Sequence, residues 1–196
     1  MDMKEYNKVK DLKYDEYCDY LKEKYGCAEH DYFTKSFNKD KRVTRTSEGL
    51  FCHHIREDEA ALLCDPKTAR HYPFEYQRAE NLCYCDYLEH LFLHILISEG
   101  FLNGECGSSS SGGIKVFLVP ELNDFYSGFE TKLPWQRKCV ARVIGDKETY
   151  IELVKRYHGQ APNDKFYVSS YNAGRGNWDL GRNRRLIEEI ESHIEG

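Results

Sequence analysis

The chain has 196 residues, is 40% hydrophobic and 31% charged, and carries a formal net charge of −5. That length supports one well-cored domain or a domain with an appended lobe, and the composition excludes a disordered or collagen-like chain. No apolar run approaches the ~18 residues a membrane helix needs, and no charged start leads into a signal-type apolar stretch. Eight cysteines without a framework spacing point to reduced thiols and a cytoplasmic location, with no membrane partner.

In chain order, the first expected element is a helix from Leu12 to Tyr25. Tyr14, Tyr17, Cys18 and Leu21 form its apolar stripe, and Gly26 ends it. Residues 35–45 then carry five basic side chains, Lys35, Lys39, Lys41, Arg42 and Arg45, against one acid. Their irregular spacing suits a loop that tracks phosphates, the plain alternative being a solvated loop. Ser47 to Ile55 reads as a short strand after a glycine, ending in His53-His54. Leu82 to Ile97 reads as a helix, with Tyr84, Leu88, Leu91, Phe92, Ile95 and Leu96 on one broad face and Gly100 as its stop. At ~100° per residue, His90 and His94 project together from the rim of that face, half exposed.

Gly107-Ser-Ser-Ser-Ser-Gly-Gly113 has the composition of a flexible loop. Beyond it, Ile114–Val119, ended by Pro120, and Lys138–Ile144 are expected to be strands. Glu148–Tyr157 and Arg184–Ile194 are expected to be helices. Arg175, Arg182, Arg184 and Arg185, with Tyr171 and Trp178 among them, form a second basic group of the kind that meets phosphates and stacks on bases. The expected fold class is α+β. Residues 1–106 hold the N-terminal helix and the histidine region, 107–113 the loop, and 114–196 an α+β remainder packed on the same core.

The chemistry concentrates in five residues: His53, His54, Asn81, His90 and His94. His90 and His94, four apart on a helix, direct two imidazoles from one face toward a single cation. A histidine pair of this spacing also occurs as ordinary half-buried packing. Adjacent histidines at a strand end can divide the work between a ligand and a general base, because an unperturbed imidazole titrates near pH ~6.5. Cys83, drawn on the same helical wheel, falls beside the histidines and reads either as an extra ligand or as a small buried hydrophobe.

The order His-His, then Asn81, then His90 and His94 resembles the HNH nucleases, whose site is a ββα-metal, or His-metal, finger. The two-histidine ending is most similar to the colicin-type DNase branch, and the resemblance covers residues 47–99. It implies a ββα-metal finger embedded in a larger mixed domain. His53, His90 and His94 would be metal ligands and His54 the general base, with Asn81 holding the turn and the His54 ring. It also implies one divalent ion, with Zn²⁺, Ni²⁺, Co²⁺ or Mn²⁺ suiting imidazole ligands better than Mg²⁺, and zinc expected in purified protein.

Two features depart from the family pattern. The segment between His54 and Asn81 is long, and only Cys83-Tyr-Cys85 stands where paired CxxC knuckles occur in many relatives, so a second structural zinc is not expected. The function expected is metal-dependent hydrolysis of nucleic acid, DNA ahead of RNA because the resembling family mostly cuts DNA. Lys39, Lys41, Arg42 and Arg45 would bind the substrate. The alternative is a catalytically silent, metal-stabilised binding protein that acts on a protein partner as inhibitor or adaptor.

Overall fold

The computed structural model describes all 196 residues. The elements in order are α1 (Met3–Val9), α2 (Tyr14–Tyr25), β1 (Phe51–His54), α3 (Pro66–Ala69), β2 (Leu82–Cys85), α4 (Tyr87–Leu102), α5 (Val119–Tyr126), α6 (Pro134–Val143), α7 (Lys147–Gln160) and α8 (Arg184–Glu195). The fold is α+β, with one two-stranded antiparallel sheet among helices. No helix is long and apolar enough to cross a membrane, and all eight cysteines are free.

The hub is α4. The sequence Leu-Phe-Leu-His-Ile-Leu-Ile is apolar on every side, and such a helix must be surrounded. Leu88, Leu91, Phe92, Leu93, Ile95 and Ile97 are all sealed from solvent. Burying each side chain of this size contributes about 1.5–3 kcal/mol. One apolar core runs through α1, α2, β2, α4, α5, α6, α7 and α8, joining residues on both sides of the Gly107–Gly113 segment.

The start of α4 is fixed by a capping box. The Asp86 carboxylate accepts from the Glu89 amide at 2.9 Å, and the Glu89 carboxylate accepts from the Asp86 amide at 2.7 Å. Both acids are buried. The Met1 ammonium donates to Asp86 at 2.5 Å, and Lys24 donates to Glu89 at 2.6 Å, so neither charge is stranded.

The strand pair orders everything around the histidines. Its register sets His53 opposite Cys83 and His54 opposite Leu82. Side chains alternate across a strand, so Phe51 and His53 face α4 with Cys83 and Cys85. Cys52 and His54 face the other way. There Leu82 and Tyr84 close a small second core with Ala28, Tyr32, Phe33, Val43, Leu50 and Ala69. Gly49 turns the chain into β1 at φ +78°. A Cβ there would stand 2.7 Å from the Lys138 carbonyl oxygen, so only glycine lets α6 approach this turn.

Four expectations from the sequence are corrected. The helix expected from Leu82 begins only at Tyr87. Leu82–Cys85 is a strand buried on both faces, which carries no alternating pattern to announce it. Cys83 is therefore a strand residue packed against the Cys18 thiol. Gly100 lies inside α4, which runs to Leu102 and is capped by Asn103. Ile114–Val119 is no strand but one wide helical turn, Gly113–Leu118, running into α5. Ile114, Leu118, Val119 and Leu122 face the core at helical spacing, and that period overrides the β-branched composition. Lys138–Ile144 lies in α6, where Pro134 opens the first turn and Cys139 and Val143 face inward.

Replacing Asp86 by Ala removes the cap and the counter-charge of a buried amine. A loss of about 2 kcal/mol or more is expected in urea unfolding. A loss under about 0.5 kcal/mol would mean that the capping box does not anchor α4.

Candidate metal centre

β1 and α4 bring three imidazoles together. One ring nitrogen each from His53, His90 and His94 lies within 4.8 Å of the others. The Nε2 atoms of His90 and His94 are 3.2 Å apart. A common ion ~2.1 Å from each nitrogen in a tetrahedral shell requires spacings of roughly 3.4 Å, so only a small inward movement separates this arrangement from a coordination shell. The histidines do not sit at a wet rim as the helical wheel suggested. His53 and His94 are buried and only His90 keeps a partly exposed edge, because the sheet and the Gly113–Leu118 turn cover that side of α4.

The hydrogen bonds fix which nitrogen of His53 is free. The Tyr14 hydroxyl, from α2, donates to the Ile55 carbonyl at 2.7 Å. It lies 2.9 Å from His53 Nε2 and, its own proton spent, must accept from that nitrogen. Nδ1 then carries the lone pair. It is buried, has no hydrogen-bond partner, and is one of the nitrogens facing the cluster. His90 Nδ1 is likewise buried without a partner. His94 is held from outside by the Ser110 hydroxyl, 2.7 Å from Nδ1, which turns Nε2 inward. The Gly113 backbone lies flat against the same ring, and a Cβ there would come within 2.7 Å of His94 Cε1. The segment read from composition as a flexible loop thus packs over the site, and Ser108 within it donates its amide to the Asp58 carbonyl.

A carboxylate with no distinguishing sequence signal completes the cluster. Glu57, in the single helical turn Ile55–Asp58 after β1, lies 3.8 Å from His53 Nδ1 and 3.6 Å from His94 Nε2. Both distances are too long for hydrogen bonds. Burial lifts the Glu57 carboxyl to about 8. Burial also pushes His94 down to about 4, and it lowers His53 and His90, each further depressed by a neighbouring imidazole. Neutral imidazoles are the ligand form. The orphaned His53 Nδ1, an unpartnered carboxyl and near-correct spacing all fit a divalent transition metal, and three nitrogens with one oxygen suit zinc, nickel, cobalt or manganese better than magnesium.

The other expected site residues lie elsewhere. His54 points to the opposite face of the sheet. Its Nε2 is 3.0 Å from Gln77 Oε1, its ring centroid lies 4.3 Å from that of Tyr32, and burial lowers it to about 4. Asn81 stands at the entry to β2. It donates to the Glu75 carbonyl at 2.8 Å and so braces the loop, and it makes no hydrogen bond to His54. Lys39, Lys41, Arg42 and Arg45 belong to the layer over the His54 face, where Val43 enters the second core. Lys39 donates to the Tyr32 hydroxyl at 2.8 Å, Arg42 pairs with Asp40 at 2.6 Å, and Arg45 pairs with Glu48 at 2.5 Å.

Two side chains that build the site were invisible in the sequence for different reasons. Glu57 sits in the run Arg56-Glu-Asp-Glu59, where nothing distinguishes the acid that turns inward. Tyr14 meets His53 across 39 positions, a purely tertiary contact. Comparison of the chain with protein-family models, curated proteins and solved structures gives no match.

If Tyr14 presets His53, Tyr14→Phe should weaken zinc binding about 10- to 100-fold. It should also remove the bias toward the Nε2–H tautomer in ¹⁵N NMR of the metal-free protein. Unchanged affinity with an unchanged tautomer would exclude the role.

Proposed function

We propose that the chain is a metal-dependent phosphodiesterase acting on nucleic acid, with His53, His90 and His94 as the metal ligands. The observation that carries this reading is the meeting of three imidazoles and Glu57 beside an antiparallel strand pair whose second strand leads directly into α4. That order of elements agrees with the ββα-metal finger implied by the HNH resemblance. A divalent ion in such a site polarises a phosphate oxygen and neutralises charge on the leaving oxygen.

The chain itself must take a proton from the attacking water. The resemblance gives this role to His54, whose Nε2 is already engaged by Gln77 on the far side of the sheet. Glu57 is the carboxyl nearest the triad; a cation held by the imidazoles would keep it ionised despite its burial, and the reading assigns the role to it.

A second reading rests on the same carboxylate. Bound as a fourth ligand, Glu57 would close the shell, and closed shells are the mark of structural sites. The protein would then be a metal-stabilised binding module.

The test combines metal analysis with plasmid nicking. Wild-type protein should hold one transition metal per chain and nick DNA, and His90→Ala should lose both. Glu57→Gln should keep the metal and lose ~10²- to 10⁴-fold in rate, as for removal of a general base. The same loss in His54→Ala, with metal retained and Glu57→Gln active, would return the role to His54. Stoichiometric metal without cleavage of any nucleic acid would favour the structural reading.

A further inference from the structure

The wide turn Gly113–Leu118 touches the triad at one end and is exposed at the other. Gly113 lies on the His94 ring, while Val116 and Phe117 are 57% and 47% exposed. The Phe117 ring lies 6.2 Å from Tyr171, and the Arg175 guanidinium sits 3.8 Å over the Tyr171 ring. Further along the same segment, Arg182 lies 4.8 Å over the Trp178 ring. Neither arginine makes an ion pair, unlike Arg184, which pairs with Glu188. Arg70 over Phe37 and Arg78 over Phe74 also lack ion pairs, but the ring under Arg175 lies beside Phe117, on the turn that covers His94.

Packed side chains tie this platform to the less buried corner of the triad. The amide of Tyr171 donates to the Pro120 carbonyl of α5. The neighbouring Glu121 accepts from the Tyr87 hydroxyl at 2.9 Å. The Tyr87 ring stacks edge-on against Phe51 at 4.6 Å, and Phe51 lies 5.6 Å from the His90 ring.

The segment is also held firmly. Asp124 accepts from the Asn172 amide at 2.8 Å and from Asn183 Nδ2 at 2.8 Å, and Trp178 Nε1 donates to Asn183 at 2.8 Å. A platform set in place before binding loses less entropy when a flexible strand docks on it.

We infer that Phe117, Tyr171 and Arg175, extended by Trp178 and Arg182, bind single-stranded nucleic acid and lead it to the His90 side of the triad. Unpaired bases present the π-faces that aromatic side chains stack on, and their phosphates meet the arginines. A duplex hides those faces, so the occupant is a single strand. This inference deepens the phosphodiesterase reading, and its binding arm is independent of cutting.

The test measures fluorescence anisotropy of a fluorescein-labelled thymidine oligonucleotide at low salt, with a duplex of equal length as competitor. Tyr171→Ala and Arg175→Ala should each weaken binding about five-fold or more, as expected for loss of one stacked base or its phosphate contact. Phe117→Ala, at an exposed position, should do the same with an unchanged melting temperature. The double variant Lys41→Ala/Arg42→Ala, on the opposite side of the sheet, should bind like wild type.

Variants at Tyr171, Arg175 and Phe117 that bind like wild type overturn the inference, as does a duplex that competes as well as the single strand. Tyr171- and Arg175-dependent binding in a protein that cuts nothing keeps the surface and removes the phosphodiesterase reading. Cutting by a protein whose three variants bind normally does the reverse.

Discussion

Three imidazoles and a carboxylate meet in the interior of this protein, and the hydrogen bonds around them leave acceptors aimed at one another. Tyr14 takes the proton of His53 Nε2, so Nδ1 faces the cluster as a bare lone pair. A proton shared between the facing Nε2 atoms of His90 and His94 satisfies that pair alone. A buried acceptor without a donor costs about 1–3 kcal/mol, and a cation beside His53 Nδ1 would remove that cost. The rest of the fold serves this meeting. α4 carries two of the imidazoles and must be enclosed. The capping box fixes its start just after β2, and the sheet register turns His53 toward it.

That register also separates His53 from His54. Adjacent strand residues face opposite ways, so one histidine enters the main core and the other the small core under Tyr32. The two cores give the histidines different chemistry. His53 keeps a free nitrogen beside Glu57, whereas His54 is engaged by Gln77. The layer containing Lys39 to Arg45 follows His54 to the far side. Arg175 and Arg182 lie instead on the C-terminal segment, over the rings of Tyr171 and Trp178.

Much of the centre was legible in the sequence because it is written locally. The spacing of His90 and His94 follows from helical geometry, and the position of His53 after Gly49 follows from strand signals. The start of α4 was legible too, in Asp86 and Glu89, but the apolar run across Leu82–Cys85 masked it. The C-terminal elements misled for a different reason. Ile114–Val119 and Lys138–Ile144 have strand composition, and only burial at helical spacing, with Pro120 and Pro134 in first turns, reveals helices. Tyr14, Glu57 and Ser110 were beyond reach because their roles arise from contacts across α2, β1 and the Gly113–Leu118 turn.

The buried acceptors are proposed to form a coordination site, and X-ray absorption at the zinc edge of zinc-loaded protein probes it. One zinc per chain is expected, with three imidazole nitrogens at roughly 2.0–2.1 Å and an oxygen completing the shell. A shell with cysteine sulfur or fewer than three imidazoles, or no stoichiometric uptake of zinc, would contradict it.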